Sequence, residues 1–362
     1  MPAKRGCTND RACAAGCSGR ATTVECPANL RNFTAHLPWK VKPVSLGEFD
    51  LIAKYFTRTV IRAALGIGDD CALFAPAPGM QLAVSSDMLV EGRHFLPTVL
   101  PERLGHKALA VNLSDLAACG AKPMAFTLAL AMPRVEEQFL EGFARGLLAL
   151  ADFHECELIG GDTTQGPLNL CITVFGEVPH GQALLRSGAR AGDDLYVSGT
   201  LGDARLALEA FRGTVALGGD TFERVRTAME RPQPRVALGL ALRGVATSAI
   251  DVSDGLLGDI AHVLRRSKVG AEVQVDALPR SDMLRAMPEA LQRTCTLAGG
   301  DDYELVFTAP PHCAAQVAQA AQAARTEVTR IGGITAADGL RLVDRDGRAL
   351  ANTFGSFDHF KA

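Results

Sequence analysis

The residues of this chain that could carry out chemistry are aspartates, which recur in six short clusters beside glycine or serine. The clusters follow short apolar runs, as Asp251 follows Ala249-Ile250. Because α/β sheets build their sites at the carboxyl ends of buried strands, this pattern predicts that the carboxylates lie at strand ends. The clusters occupy residues 68–70, 85–87, 112–115, 160–163, 251–255 and 299–304.

Aspartates that converge on one place need a counter-charge. Two unit charges roughly 4 Å apart repel each other by about 4 kcal/mol at an effective dielectric constant of about 20. Bound divalent cations remove this repulsion, and ligands that are all oxygen suit Mg²⁺, Mn²⁺ or Ca²⁺ and do not suit zinc. Because Mg²⁺ shares its coordination with substrate phosphates, the clusters predict a polyphosphate ligand that is bridged by metal ions.

Ordinary turn formation is the competing explanation for these clusters. Aspartate beside glycine commonly forms turns, and a Ser-x-x-Asp sequence can cap a helix, so any single cluster is explained without a function. Six clusters among small residues, which permit the close approach of a ligand, favour a shared site. The alternative from a different class of protein is a calcium-binding scaffold in which the aspartates are structural.

The familiar sequences for binding a nucleotide are missing. The chain has no GxxxxGK[ST] motif and no kinase-type HRD or DFG, and residues 66–69 form only half of a GxGxxG motif. If ATP binds, metal ions and aspartates must therefore take the part that a P-loop lysine plays elsewhere.

Three basic residues accompany the aspartates. His94 lies seven residues after Asp87, within reach of a substrate phosphate, and Arg186 lies in a glycine-containing segment where it could clamp phosphate oxygens. Each has a plainer explanation as an ordinary surface or core residue. Lys107 shares a helical face with Asp115, which is typical of a solvated stripe.

Composition excludes several classes of protein. The 362 residues carry a formal net charge of -3, with 48% hydrophobic and 21% charged residues. These values suit a soluble protein of two domains and disfavour a nucleic-acid binder, which usually has a clustered basic surface. No apolar run reaches the ~18 residues that a membrane helix needs. The cysteines contain no CxxC pair and no secretory signal is visible, which favours the cytoplasm.

Hydrophobic periodicity predicts alternating strands and helices, and hence an α+β (α/β) protein with two domains. A Ser45–Glu48 capping box is expected to open the first helix. The boundary is expected at the Gly- and Pro-rich segment 179–192, between an N-terminal domain at 45–180 and a C-terminal domain at 188–362. The predicted elements are a strand at 82–86, a helix at 101–118, a strand at 124–131, a helix after Pro133 that includes Val135, strands at 168–178 and 194–198, a helix after Gly202, a strand-to-helix passage at 250–266, a strand at 304–308 and a closing strand at 328–334.

Residues 1–44 differ from the rest because they show no helical or strand periodicity. We interpret them as a disordered extension or as the product of a misassigned start codon. Their four cysteines, Cys7, Cys13, Cys17 and Cys26, could instead form a small metal site, although their spacing matches no known zinc pattern.

Seven motifs in this order, from about Ser45 to the C-terminus, closely resemble the thiamine-monophosphate kinase family. They are GIGDDCA at 66–72, SSD at 85–87, EGRHF at 91–95, KALAVNLSDLAA at 107–118, LIGGDTT at 158–164, IDVSDGL at 250–256 and GGDDYEL at 299–305. The resemblance implies transfer of the γ-phosphoryl group of ATP to thiamine monophosphate, the last step of thiamine diphosphate biosynthesis. It also implies the two-domain (PurM-like) fold of the aminoimidazole ribonucleotide synthetase superfamily, with N-terminal domains that pair into a homodimer.

The resemblance also implies roles for individual residues. Asp301 stands where the family often has glutamate, which shortens the reach to the thiamine side by one methylene, and Phe357 stands where others carry Tyr or Trp. The implied contacts to thiamine monophosphate are His94, Asp301 and Phe357; those to ATP are Gly161, Asp162, Arg186 and Ser253; the catalytic residues are Asp115, Asp162 and Arg186; and the ligands of several Mg²⁺ ions are Asp70, Ser85, Ser86, Asp87, Asp115, Asp162, Asp251 and Asp254.

The implied mechanism is direct in-line transfer. The acceptor is already an ionised phosphate monoester and needs no strong base, and no Ser, Cys or His in the sequence is evidently activated as a nucleophile. Other members of the superfamily, such as aminoimidazole ribonucleotide or selenophosphate synthetases, are the nearest alternatives. A selenophosphate synthetase would need a reactive cysteine near the start of the fold, and the surroundings of Cys26 do not fit that role.

Overall fold

Two β-sheets with helices packed between and around them make up residues 46–355, the part of the chain that the computed structural model describes. The helices are α1 (Glu48–Tyr55), α2 (Pro101–Ala118), α3 (Glu137–Phe153), α4 (Asp203–Phe211), α5 (Gly219–Glu230), α6 (Val236–Ala241), α7 (Leu256–Ser267), α8 (Asp282–Arg285), α9 (Glu289–Ala298) and α10 (Ala314–Ala323). The strands are β1 (Met80–Val90), β2 (Lys122–Met132), β3 (Glu157–Gln165), β4 (Asn169–Pro179), β5 (Asp194–Ser198), β6 (Ser248–Asp251), β7 (Gly270–Gln274), β8 (Leu305–Ala309), β9 (Val328–Thr335), β10 (Gly339–Val343) and β11 (Ala349–Leu350).

The first sheet has the strand order β1-β4-β2-β3, with antiparallel pairs except between β2 and β3. We call its two sides the inner face, which carries Ser85 and Asp87 of β1, and the outer face, which carries Val84, Ser86 and Met88. The inner face packs on α2, as the burial of Ile172 in β4 shows. β1 is longer than the predicted strand 82–86. The prediction was too short because the inner face of β1 is partly polar and its outer face is apolar, which is not the alternation expected of a half-buried strand.

The second sheet has the order β11-β10-β7-β9-β5-β8-β6 and is antiparallel except between β10 and β7. Its core is built from fully buried aliphatic residues such as Val197 and Ile331. The strand predicted at 328–334 is present as β9 (Val328–Thr335), but the prediction that it closes the chain is wrong. β9 lies inside the sheet, and β10 and β11 follow it.

Helix α2 is the element that both halves share. Its observed bounds confirm the predicted helix at 101–118, and Pro101 at its start is compatible with a first helical turn. Nearly every residue from Leu104 to Ala117 is buried, because the helix contacts α3, the strands β1 and β4, and also β6 and α6 of the second half. Polar groups in the buried part of this helix are shielded from bulk water and therefore need partners inside the protein.

Two predicted helix starts are wrong. Helix α1 begins at Glu48 with Gly47 as its cap, whose N–H donates to Asp50 Oδ2 at 3.2 Å, so a Ser45–Glu48 capping box does not open it. Helix α3 begins at Glu137, and Val135 precedes it with 42% of its surface exposed. In both cases a short polar segment before an apolar run allowed more than one starting point.

The described residues do not test the expectations for the N-terminal segment and for the domain boundary. Residues 1–44 and their four cysteines lie outside the described residues. The domains at 45–180 and 188–362 stay a prediction. The strands of the first sheet precede the Gly- and Pro-rich boundary segment or end at its start, and those of the second sheet follow it. Within residues 46–355, no helix has the length and apolar character needed to cross a bilayer.

Close contact between α2 and α3 generates a stability prediction. A Cβ on Gly146 of α3 would lie 1.8 Å from Glu102 O of α2, and a Cβ on Gly105 would lie 2.0 Å from Phe143 O. Backbone atoms cannot yield as a flexible side chain does, so Gly146→Ala should destabilise the protein by about 2–3 kcal/mol in chemical denaturation. Gly219→Ala, where nothing lies within 4 Å, is the matched control and should be close to neutral. Equal stability of the two variants would contradict the close helix contact.

Candidate functional site

A cleft of about 930 Å³ lies between the first sheet, α2 and the loops of the second half. The β1 strand and the loop after it form one wall, and α4, the loop after β6 and the segment before β8 form the other. Five carboxylates line it: Asp87, Asp115, Asp251, Asp254 and Asp301. Four of the six aspartate-bearing sequence clusters, which lie far apart in the chain, contribute to this one cavity.

Three of these aspartates are held by polar residues on or beside α2. The backbone N–H of Asp87 donates to Asn112 Oδ1 at 3.1 Å. Asp115 accepts a short hydrogen bond from Ser85 Oγ, and Ser114 Oγ donates to Asp251 Oδ2 at 2.7 Å. The carboxylates of Asp115 and Asp251 and the backbone of Asp87 are therefore held in place before any ligand arrives.

Asp259 of α7 holds the loop that carries Ser253 and Asp254. One oxygen of the Asp259 carboxyl accepts the backbone N–H groups of Ser253, Asp254 and Gly255 at 3.1, 3.2 and 3.1 Å. Gly255 has φ +116°, which L-residues rarely adopt, and it turns the chain into α7. Because these N–H groups are taken, the Ser253 hydroxyl is the group of this residue that can contact a phosphate.

Burial and mutual repulsion raise the pKa values of the cleft carboxyls. Burial, with contributions from Asp115 and Asp254, raises the pKa of Asp87 to about 6. Burial and the neighbouring Asp115 raise the pKa of Asp251 to about 8, against the lowering effect of the Ser114 hydrogen bond. Burial also raises the pKa of Asp115, although Ser85 and the Arg186 guanidinium oppose it. Positive charge in this cleft would favour the ionised carboxylates.

The donor set fits Mg²⁺. The available ligands are carboxylate and hydroxyl oxygens, which suit a hard cation. Within residues 46–355, no group of three or more His, Cys, Asp or Glu side chains could hold an ion by itself. An ion bound here would therefore take one or two carboxylates and complete its shell with water or substrate phosphate, as Mg²⁺ usually does.

His94 and Asp301 lie on opposite sides of the same cleft. The N–H of Val90 donates to His94 Nδ1 at 2.9 Å, so a neutral His94 ring carries its proton on Nε2. Asp301 has a left-handed backbone with φ +67°, and its Oδ1 accepts the Tyr303 hydroxyl at 3.1 Å. Both side chains are thus oriented by neighbours within the protein.

Helix α4 supplies an apolar wall. Leu208 and Phe211 face the cleft together with Leu96 from the loop after β1. Arg205 lies beside them, and its guanidinium donates to Glu209 Oε1 at 2.7 Å. This wall offers contact area for an organic ring at a distance from the carboxylates.

Other predicted site residues lie outside this cleft, on or above the outer face of the first sheet. Ser86 alternates with Ser85 and Asp87, and its Oγ contacts Thr173 Oγ1 at 3.0 Å on the outer face. Asp162 is exposed on β3, where it pairs with the exposed Ala129 of β2. Since β4 and β2 separate β3 from β1, Asp162 lies about 14 Å across the sheet from β1.

The segment that carries Asp70 belongs to the outer face as well. Ala72 and Phe74 pack there against Phe175, whose ring centroid lies 5.2 Å from that of Phe74, and Asp70 itself is exposed. Asp70 and Asp162 therefore do not join the other predicted ligands within one chain.

Of the remaining predicted contacts, the two that lie within the described residues, Gly161 and Arg186, do not line the cleft. Gly161 has φ +150°, and a Cβ on it would lie 1.9 Å from Leu128 O, so this position requires glycine for packing. Arg186 is exposed but close enough to Asp115 to lower its pKa. Phe357 lies outside the described residues.

The predicted placement of the aspartates at strand ends is wrong for most clusters. Asp251 ends β6 as predicted, but Asp87 and Asp162 lie inside β1 and β3. Asp115 lies inside α2, and Asp301 precedes β8. A strand that continues past its apolar segment cannot be recognised from the apolar run alone.

The sequence did not predict a positioning role for Lys107, Asn112, Ser114 or Asp259. The prediction of a solvated stripe for Lys107 is wrong, because its side chain is only 2% exposed. The signal that could have identified the first three is a set of polar residues inside a helix whose other residues are almost all apolar. Asp259 gave no such signal because acidic residues are common in the first turn of a helix.

Two family models match this chain. AIR synthase related protein, N-terminal domain, matches residues 68–178, and AIR synthase related protein, C-terminal domain, matches residues 190–345. The curated thiamine-monophosphate kinase of Salmonella typhimurium is 44% identical over 323 residues, which are 88% of this chain and 99% of that protein.

Solved structures give the same result. Thiamine-monophosphate kinase from Stenotrophomonas maltophilia K279a has a TM-score of 0.75 and 46% identity, covering 80% of this chain and 92% of that chain. AaThiL complexed with AMPPCP and TMP has a TM-score of 0.69 and 29% identity, covering 79% of this chain and 89% of that chain. The predicted two-domain α+β fold is confirmed by these matches.

Because burial raises the pKa of Asp251, replacing this residue by a neutral one should stabilise the folded protein by an amount that depends on pH. Protonated Asp251 stabilises the fold fully below the unfolded value of 3.8, and this contribution is lost as pH rises through about 8. In EDTA, Asp251→Asn should therefore differ little from the wild type near pH 4 and be more stable by on the order of 2 kcal/mol near pH 8.5. Thermal unfolding across this range measures the difference.

The matched control for this prediction is Asp338→Asn, which makes the same chemical change at an exposed turn between β9 and β10. A pH profile that the two variants share would contradict the attribution of the effect to the burial of Asp251.

Proposed function

This chain belongs to the AIR synthase related proteins and, among them, to the thiamine-monophosphate kinases, and we propose that its cleft transfers the γ-phosphoryl group of ATP to thiamine monophosphate. The products are thiamine diphosphate and ADP, and the transfer is the last step of thiamine diphosphate biosynthesis. The observation that carries the proposal is the gathering of Asp87, Asp115, Asp251 and Asp254 beside a wall suited to organic rings. The relative AaThiL, which binds AMPPCP and TMP together, supports the same pair of substrates.

We further propose that several Mg²⁺ ions act with ATP. Asp87, Asp115, Asp251 and Asp254 would hold them from the inner face, with the hydroxyl of Ser85 beside Asp115. Bound Mg²⁺ would supply positive charge that neutralises the triphosphate and offsets its repulsion by the carboxylates. Asp70, Ser86 and Asp162 are proposed ligands on the outer face.

The chain's own residues then orient two anions toward each other. The acceptor phosphate is already ionised, so the site needs to reduce repulsion and does not need a strong base. The Arg186 guanidinium, which lies near enough to Asp115 to lower its pKa, would offset charge on the transferring group. The Ser253 hydroxyl and Gly161 would contact ATP, and His94, Asp301 and Phe357 would contact thiamine monophosphate, whose rings would lie against Leu208 and Phe211 on α4. We propose that the transfer is direct and in line.

The outer face of the first sheet supports a homodimer. Leu82, Val84 and Met88 of β1 are exposed there by 43%, 58% and 54%. An exposed apolar row on an edge strand is typical of a surface that pairs with another chain. We propose that a second copy of this chain covers it.

We also propose that the enzyme works in the cytoplasm. The six cysteines of residues 46–355 are free, which suits a reducing compartment. ATP and Mg²⁺ are available there.

Thiamine diphosphate formed from thiamine monophosphate, ATP and Mg²⁺ is the decisive readout, measured by chromatography of the products. Asp115→Asn should remain folded but lose about 100-fold or more in turnover, because an amide lacks the second anionic oxygen that bridging ions require. Asp220→Asn, an exposed change on α5, is the control. Near-normal turnover by Asp115→Asn would disprove its role as a metal ligand, and preferential use of free thiamine would disprove the acceptor.

The homodimer generates a separate prediction. Val84→Asp places a charge in the middle of the apolar row and should convert a dimer into a monomer of about half its mass by light scattering. Val135→Asp, at an exposed valine outside that face, should leave the mass unchanged. A monomeric wild type would contradict the proposal directly.

A further inference from the structure

Lys107 is an unusual residue because its ammonium group is buried in the middle of the protein. Its side chain is 2% exposed, and it is among the largest fully buried side chains of residues 46–355. A buried ammonium is unfavourable unless it is paired and hydrogen-bonded. The position therefore requires a partner, and the partner shows what the lysine does.

The ammonium of Lys107 joins two segments on opposite sides of the cleft. Nζ lies 3.0 Å from Asp301 Oδ2, in the segment between α9 and β8. It also donates to the backbone carbonyl of His94 at 3.3 Å, in the loop after β1. One cation on α2 thus sets the separation between the loop of His94 and the turn of Asp301.

Backbone hydrogen bonds to the loop after β6 also constrain the turn of Asp301. Asp301 N donates to Ser253 O at 2.9 Å, and Tyr303 N donates to Val252 O at 2.8 Å. Both Asp301 and Tyr303 have positive φ, at +67° and +51°, a conformation that costs non-glycine residues energy. With Tyr303 on Oδ1 and Lys107 on Oδ2, the carboxylate keeps one orientation although its side chain is 36% exposed.

Lys107 also changes the charge that the acceptor meets. Asp301 shares the cleft with four other aspartates, and a second anion approaching an unpaired Asp301 would be repelled. The ion pair with Lys107 makes this part of the wall neutral. The same wall can then contact the acceptor without opposing its phosphate group.

We propose that Lys107 is a positioning residue for the phosphate-ester acceptor, acting through Asp301 and the His94 loop, an inference that rests on the proposed kinase function. Lys107 does not touch the substrate. It fixes the two groups that do, so its loss weakens acceptor binding and leaves the ATP side, which uses other residues, largely as it is.

Steady-state kinetics with Lys107→Met tests this role. We expect KM for thiamine monophosphate to rise at least about tenfold while KM for ATP stays within about twofold. Asp301→Asn should show the same selective rise. The double variant should resemble Asp301→Asn alone, since two changes that act through one interaction are not additive.

Arg103→Met is the matched control for a purely structural role. Arg103 lies one turn earlier on α2, is 17% exposed and pairs with Glu230 at 3.0 Å, away from the cleft lining. Its loss should lower the melting temperature without changing KM for thiamine monophosphate. If Lys107→Met behaves like Arg103→Met, losing stability with an unchanged KM, the positioning role is overturned.

Two further measurements keep the test decisive. Should Lys107→Met fail to fold, Lys107→Gln retains a hydrogen-bond donor without the charge, and an unchanged KM for thiamine monophosphate in that variant would overturn the proposal. The wild type is assayed first: if it does not phosphorylate thiamine monophosphate, the proposed function fails, whereas an active wild type with an unaffected Lys107 variant refutes only the inference about Lys107.

Discussion

The cleft depends on one constraint, which is that the polar side chains of α2 are buried and must each find a partner. Four of these residues have partners in segments that form the cleft. Burial makes the choice of partner strict, because a lost hydrogen bond in this interior leaves a polar group without water. The pairs are Lys107 with Asp301, Asn112 with the backbone of Asp87, Ser114 with Asp251, and Asp115 with Ser85. A single helix therefore sets the position of groups from both sheets.

The same arrangement makes the site electrostatically unfavourable without a ligand. Asp87 and Asp251 have raised pKa values because they are buried beside other carboxyls, so ionising them near neutral pH opposes folding. Stability has to come from elsewhere, and the contact of α2 with α3 at Gly105 and Gly146 is one such source. A site that is strained by its own charge gains the most when cations and a polyphosphate enter, which is the behaviour expected of a binding site and not of a structural core.

Much of this could be predicted from sequence, and the limits have physical reasons. The aspartate clusters, the bounds of α2 and the order of most elements follow from local patterns, which composition and periodicity report directly. The two faces of β1 could not be assigned from local patterns. Ser85 and Asp87 are polar but lie on the inner face, whereas Val84 is apolar but lies on the outer face. The burial of Lys107 was also invisible, since its partner Asp301 is far away in the chain and spacing along one helix cannot reveal a neighbour from another element.

The separation of the predicted ligands into two groups has a structural consequence. An Mg²⁺ ion holds its ligands at about 2.1 Å, so no ion can be shared between the inner face and a residue about 14 Å across the sheet. Asp70, Ser86 and Asp162 nevertheless all belong to the outer face, the same face that carries the exposed apolar row of β1. If a second copy covers that row, it also approaches these three residues. Any metal role for them would then depend on the paired state, so that the oligomeric state and the metal content of this enzyme would change together.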